Sequence, residues 1–358
     1  MATIHLGERY RESLLESFRE RSYTESSFSH DLNVEFSGTK TVHVLSLQTE
    51  PLQDYNRGKE VGSGSRYGPT KEVGDVEQTF TMTQDKALSL SVDKGNNQEQ
   101  FNIKKAGAIM AAERDEHIVP ELDKYRLNAW VQQAGIHEAL SAAPTKADIV
   151  TAIVNLHNKM LDLGCPDSGL TLFIAREYVP ALKLSPEWTG LDSLGGKSLP
   201  SGSIGQVDGL SVKPVPTARF PQGAYFMILQ KSAVIAPMKI NSFKAHTDPP
   251  GLSGDLLEFR MIHDAFVLGP KCNGVAVACA SSSVVADPSI SVSSSNATIT
   301  SSTSSAVIRY TLDGSDPRYS TSAKTYTSAV SVSSGDVLRA CATKDGMFSS
   351  AVVDKVVS

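Results

Sequence analysis

The chain has 358 residues and a formal net charge of −5, from 34 Lys and Arg against 39 Asp and Glu. That length suits two or three folded units. The mild negative balance argues against a dedicated nucleic-acid binder, which carries a strong basic patch. No apolar run approaches the ~18 residues that would span a bilayer. Residues 1–21 mix acids and bases without an apolar centre, unlike a signal peptide, so folding in a cytoplasm is expected. The four cysteines, Cys165, Cys272, Cys279 and Cys341, form no CxxC pair and have no His at zinc-ligand spacing. They read as small buried hydrophobes in a reducing compartment.

In chain order, Leu6, Tyr10, Leu14 and Phe18 repeat every four residues, one apolar stripe on a short amphipathic helix. The Ser/Thr-rich stretch 22–30 ends it, and the stripe must dock elsewhere. Over 40–95 the alternation of Val76, Gln78, Phe80 and Met82, and of Leu88, Leu90 and Val92, predicts half-buried strands. Between the first strands lies a loop with Gly58, Gly62, Gly64, Gly68 and Gly74 and the cations Arg57, Lys59, Arg66 and Lys71. A loop of that length is uncommon in a compact unit unless it has a job. It reads as an arm ordered against another subunit.

Residues 102–134 give the longest helical pattern, with Ile118, Leu122, Tyr125 and Ala129 on one face. Pro120 predicts a kink or restart inside it, and Gly135 a C-cap. A second helix is expected over 145–163, with Thr145 and Asp148 as a capping-box variant and the stripe Ile149, Ile153, Leu156, Met160, Leu163. Strands follow at 170–175, 206–215, 224–236 and 255–268, which makes the class α+β. From about residue 280 the composition turns to Ser, Thr, Val and Ala, and the pairs Asp313-Gly314 and Asp345-Gly346 are strong turns. A small separate β-sandwich is expected, with 280–288 as a polar linker.

Catalytic constellations are scarce. Gly195-Gly196-Lys197-Ser198 lacks the P-loop spacing and its strand–helix setting. Gly202-Ser203-Ile204-Gly205 is not a nucleophile elbow. His246 with Asp248, and His263 with Asp264, lack a third member and read as turn or strand-face residues. The sequon Asn296-Ala297-Thr298 is silent without a signal peptide. Asp313, Asp316 and Asp345 do not have EF-hand spacing, and turn chemistry accounts for them.

The order of parts is itself informative: arm, long β excursion, long helix, α+β region. It resembles the Hong Kong 97-like (Johnson) fold of tailed-bacteriophage major capsid proteins. Val119-Pro120-Glu121-Leu122-Asp123-Lys124-Tyr125-Arg126 is similar to the Pro-Glu-(apolar)-Asp-x-Tyr-Arg segment of that family's spine helix. The stretch from Ile204 to Gly209, with Val212 and Val215-Pro216 after it, resembles an axial-domain turn into a strand. The resemblance implies an N-arm over 1–35, an E-loop with flanking strands over 36–100, and the spine helix with peripheral and axial domains over 101–280. The C-terminal run from Ile308 to Pro317, with Tyr310, Asp313, Gly314, Asp316 and Pro317, is similar to the immunoglobulin-like module of chitobiases and hexosaminidases. That module, over 281–358, is not catalytic in those enzymes.

On this resemblance the chain is a structural shell subunit, not an enzyme, with no cofactor and no metal. It would assemble as hexamers and pentamers around double-stranded DNA in a virion, aided by scaffolding and portal proteins, with no membrane partner. Arg57, Lys59, Arg66 and Lys71 would meet a neighbouring subunit, and so would Leu6, Tyr10, Leu14 and Phe18. The C-terminal module would project outward, dispensable for closure, with host or environmental glycans as ligands. The competing readings are a phage tail-tube protein, an encapsulin-type cage, and a carbohydrate-active enzyme. The long helix disfavours the tube, the surface module the encapsulin. The enzyme would need a carboxylate pair in an aromatic-lined cleft, and the only tryptophans are Trp130 and Trp188.

Overall fold

The computed structural model describes residues 22–29, 34–37, 40–47, 54–58, 66–67, 75–99, 106–185, 205–293, 295–320 and 322–357. The helix expected at Leu6 to Phe18, the glycine-rich 195–198 segment, Trp188, Lys59 and Lys71 lie outside them. No helix among the described residues is long and apolar enough to cross a membrane.

Among those residues a six-stranded mixed sheet forms the centre. Its order is Ile136–Leu140, Val275–Ala280, Ala224–Gln230, Leu170–Ala175, Leu210–Val215, Gly205–Val207. Its strands read as continuous apolar runs because both faces are covered. Phe173, Met227, Leu229, Val275 and Val277 face the long helix and meet Leu127, Trp130 and Val131. Their alternating neighbours Leu172, Ile174, Phe226, Ile228 and Ala276 face the helix Ile149–Asp162. On that helix Ile149, Ile153, Leu156 and Met160 are buried, as the spacing requires. Leu163 leaves the stripe and is 52% exposed, because the helix ends before it. Thr145 and Asp148 do bond, with the Thr145 N–H and hydroxyl both donating to the Asp148 carboxylate. They close the turn ahead of the helix instead of capping its first turn from within.

The long helix is built in three joined pieces: Ala106–Glu113, a wide π-helical turn Arg114–Ile118, and Val119–Gln132. The wide turn sits where Pro120 would clash with the carbonyl four residues back, so the helix passes the proline without breaking. The buried face differs from the expected one. It is formed by Leu122, Asp123, Arg126, Leu127, Trp130 and Val131, while Ile118, Tyr125 and Ala129 are only partly covered. Gly135 is not a left-handed cap. Its N–H donates to the carbonyls of Cys272 and Val275, and a Cβ there would lie 2.3 Å from the Cys272 carbonyl oxygen. Close backbone approach demands the glycine.

The β excursion is a hairpin. Thr41–Leu47 pairs antiparallel with Asp75–Thr81, and Val34–Ser37 adds an outer strand. Gln84–Asp93 then leaves it to pair with Gly254–His263, whose other neighbour is Met238–Thr247. The run expected over 255–268 is therefore two strands, Gly254–His263 and Phe266–Val267, interrupted at Asp264. The run expected over 224–236 is likewise split by the 3-10 turn Lys231–Ala233. At Val207-Asp208-Gly209-Leu210 both central residues have positive φ, 50° and 77°. That is the tight hairpin geometry Asp-Gly favours.

The C-terminal region is an all-antiparallel sandwich. One sheet has the order Ser289–Ser293, Asn296–Thr300, Val330–Ser331. The other has the order Lys324–Thr325, Val307–Thr311, Val337–Thr343, Val353–Val356. Its own core includes Ala297, Ile299, Ile308, Tyr310, Leu338, Ala340 and Ala342. The stretch from 280 to 288 is not a loose polar linker. Val285 is buried and its N–H donates to the Phe348 carbonyl, while the Phe348 N–H donates to Ser283.

Candidate functional site

The Pro-Glu-Leu-Asp-Lys-Tyr-Arg segment turns out to be a two-sided clamp on the long helix. Its first side grips the chain that emerges from the N-terminus. Asp123, 0% exposed, accepts from the Ser22 hydroxyl at 2.6 Å, the Tyr23 N–H at 3.0 Å and the Thr24 hydroxyl at 2.7 Å. Arg219 donates to its second oxygen at 3.2 Å. One turn on, buried Arg126 donates to Thr24 and, at 2.7 Å, to Glu25, with its guanidinium over the Phe28 ring. Phe28 in turn meets Trp130. From the sheet, the Lys213 ammonium donates to the hydroxyls of Ser26 and Ser27. Burial lowers the Lys213 pKa, partly opposed by Asp123.

The second side grips the base of the β hairpin. The Tyr125 hydroxyl donates to Asp264 at 2.6 Å. The same carboxylate accepts from the Thr83 N–H at 2.7 Å and from the Thr83 hydroxyl. Burial and the Asp264 acceptor hold the Tyr125 phenol above its usual range. His263 sits edge-on to the Tyr125 ring. Further along, Gln133 accepts from the Val267 N–H and donates to the Ala265 carbonyl. Charge-assisted bonds of this kind are short and directional, so residues 22–28 and the hairpin leave one rigid helix at fixed angles. Pro120 is the second residue of the third helical piece and Glu121 is exposed.

At the hairpin tip, Arg57 and Arg66 lie in the described segments. The Asn56 N–H donates to the Arg66 carbonyl. Tyr55 and Tyr67 meet edge-on at 4.9 Å, with Tyr67 79% exposed. The tyrosine pair was not singled out by sequence reasoning, although one aromatic ahead of the glycine-rich loop and one inside it were visible there. The contacts made by Ser22 to Ser27 were missed as well: a run of small hydroxyls looks like linker until the buried Asp123, Arg126 and Lys213 are known.

The other candidates have structural roles. Asp248 accepts from the Gly254 N–H in a turn, and His246 faces Glu258 across two strands. Asp313 accepts from Ser315 and Ser322, hydroxyls that hold its pKa down to about 2. Gly314 has a φ of 74°. Asp316 pairs with Arg318, and Tyr310 lies in the sandwich core. Among the described residues no group of three His, Cys, Asp or Glu could hold a metal ion.

Residues 288–354 match the family model of the chitobiase/beta-hexosaminidase C-terminal domain. The chain is similar in structure to the capsid of cyanophage P-SCSP1u, at 11% identity and a TM-score of 0.56, over 76% of this chain and 92% of that one. It is similar to the mature capsid of bacteriophage PhiM1, at 12% identity and a TM-score of 0.54, over 77% and 92%. A structure from Mycobacterium phage Che8 aligns at 16% identity and a TM-score of 0.52, over 76% and 96%. No curated protein matches the chain in sequence. The fold is thus the phage-capsid, Hong Kong 97-like α+β fold, extended by an immunoglobulin-like C-terminal module.

Proposed function

We propose that this chain is the major capsid protein of a tailed phage, a non-enzymatic subunit that closes into an icosahedral shell of hexamers and pentamers around double-stranded DNA. One observation carries the reading: a capsid fold whose arm and hairpin are both clamped to a single rigid helix at Asp123, Arg126 and Tyr125. A shell needs each subunit to present its extensions to neighbours at repeatable angles, because near-equivalent contacts must recur around every ring. The hairpin tip, with Arg57, Arg66 and the exposed Tyr67, is the surface we assign to a neighbouring subunit, with Lys59 and Lys71 beside it in sequence. Leu6, Tyr10, Leu14 and Phe18 are assigned to a second such contact. The net charge of −5 suits a container that holds DNA without gripping its phosphates. Scaffolding and portal proteins are the expected assembly partners, and the C-terminal module is assigned to the outer surface, with glycans as the ligand class to test.

Negative-stain microscopy of the purified protein tests the assignment. Closed icosahedral particles are expected. Helical tubes or stable monomers under all assembly conditions would overturn it.

A further inference from the structure

Among the described residues, the C-terminal sandwich meets the rest of the chain at two separate points, and both lie at the C-terminal end of the long helix. A helix end leaves its last carbonyls without intrahelical donors and carries partial negative charge. Here the sandwich supplies one donor to the C-cap carbonyl and another to the turn just beyond it. The Tyr319 hydroxyl donates to the Gln133 carbonyl at 2.6 Å, and the Arg318 guanidinium donates to the Gly135 carbonyl at 2.6 Å. Arg318 is held in place by Asp316, which accepts from both its Nε and its Nη2. Nη2 also lies 3.6 Å from the Cys272 sulfur, and the Cys272 carbonyl receives the Gly135 N–H. Tyr319 sits so close to Gly269 that a Cβ there would be 2.9 Å from the Cβ of Tyr319.

The second point is Phe348. It is buried in the same apolar cluster as Trp130, Val275 and Val277. Its ring stacks on His137 at 5.6 Å and 4°. His137 bonds the Val131 carbonyl in the last turn of the helix and faces the Ser349 hydroxyl at 3.4 Å. The connecting chain adds a third constraint, since the Ala280 N–H donates to Gly223 and Val285 is buried against Phe348.

We propose that the C-terminal sandwich is an intramolecular buttress, which caps the long helix through Tyr319, braces the turn after it through Arg318 and locks the adjoining edge strand through Phe348. It strengthens the subunit and does not merely decorate it. The inference concerns one chain and holds whether or not the shell assignment does. A freely tethered module would leave the Gln133 and Gly135 carbonyls to water and keep an aromatic of Phe348's size inside its own core.

Hydrogen exchange on the full-length chain provides the test. Arg318→Ala should speed exchange about tenfold at the amides of residues 133–137 and 272–277, which lie in the core and not in the sandwich. From the other side, His137→Ala should speed exchange at residues 346–350. Melting of His137→Ala, Phe348→Ala and the double variant should be non-additive, as expected for groups in direct contact. Should Arg318→Ala unfold the sandwich itself, exchange would rise throughout residues 337–343, and the His137–Phe348 cycle then decides. Strict additivity in that cycle, or unchanged core exchange in a folded Arg318→Ala, overturns the proposal.

Discussion

Asp123 accepts from two hydroxyls, two backbone N–H groups and a guanidinium. Asp123→Asn keeps the shape but replaces a charged acceptor with an NH2 that is satisfied only if the Ser22 or Thr24 hydroxyl turns round to accept, and it leaves Arg219 without its countercharge. Breaking one partner of a buried ion pair costs about 3–5 kcal/mol. The variant should melt well below the parent, and limited proteolysis should cut near residues 22–28 first. An unchanged melting temperature would mean the arm is held by Arg126 and Lys213 alone. His137 gives a prediction in pH. Burial, reinforced by Arg318 and opposed by the Val131 carbonyl, lowers its pKa from 6.5 to about 4. Between those values the unfolded chain binds a proton that the folded protein refuses. Stability is complete above about pH 6.5 and falls as the pH drops towards 4, by up to about 3 kcal/mol from this residue. Burial also lowers the pKa of His263 and adds a loss of the same sign. Melting curves between pH 4 and 7 should show the decline, and His137→Gln, which can still donate to Val131, should flatten it.

At the scale of elements, the clamp on the long helix and the hairpin tip separate stability from assembly. The clamp faces inward, whereas the hairpin tip exposes Arg57 and Tyr67 and leaves Arg66 half-buried. If this loop serves a neighbouring subunit, changing Arg57, Lys59, Arg66 and Lys71 to Glu should block particle formation and leave the subunit's melting temperature within about 2 °C, since surface ion pairs contribute little to folding. A large drop in melting temperature would place the loop against its own chain. The hairpin was legible in the alternation of its strands, and the helix Ile149–Asp162 in its four-residue stripe, because single-face burial writes a period into sequence. The long helix was legible as a helix but not in its orientation. Asp123 and Arg126 occupy its buried face, and hydrophobic periodicity assigns polar residues to solvent. The clamp was thus half visible, as a motif with no partner. Its partner, Ser22 to Ser27, has the composition of a linker. The C-terminal module was legible from its turns, but not its docking. Arg318 and Tyr319 follow the recognised Asp-Gly-Ser-Asp-Pro run directly, and nothing local shows that they reach a helix end some 183 residues away in sequence.

On the scale of the whole molecule, the clamp divides the N-terminal region into two stretches with different roles, and a pair of deletions can separate them. Residues 1–21 carry the apolar stripe of Leu6, Tyr10, Leu14 and Phe18, which we assign to a neighbouring subunit. Residues 22–29 belong to the core: Tyr23 and Phe28 are buried in its main apolar cluster, and Asp123, Arg126 and Lys213 spend their hydrogen bonds on Ser22 to Ser27. Removing residues 1–21 should leave a subunit that melts like the parent yet forms no regular shells. Extending the deletion through Ser29 strips two buried aromatics, worth roughly 1.5–3 kcal/mol each, and exposes the buried Asp123–Arg219 and Arg126 groups to water without their partners. That subunit should lose several kcal/mol of stability and be recovered largely as aggregate. Melting temperatures and micrographs of the two truncated chains, compared side by side, check both halves. Equal melting temperatures would show that the segment from Ser22 onwards is not part of the core, and normal particles from the shorter deletion would remove the arm from assembly.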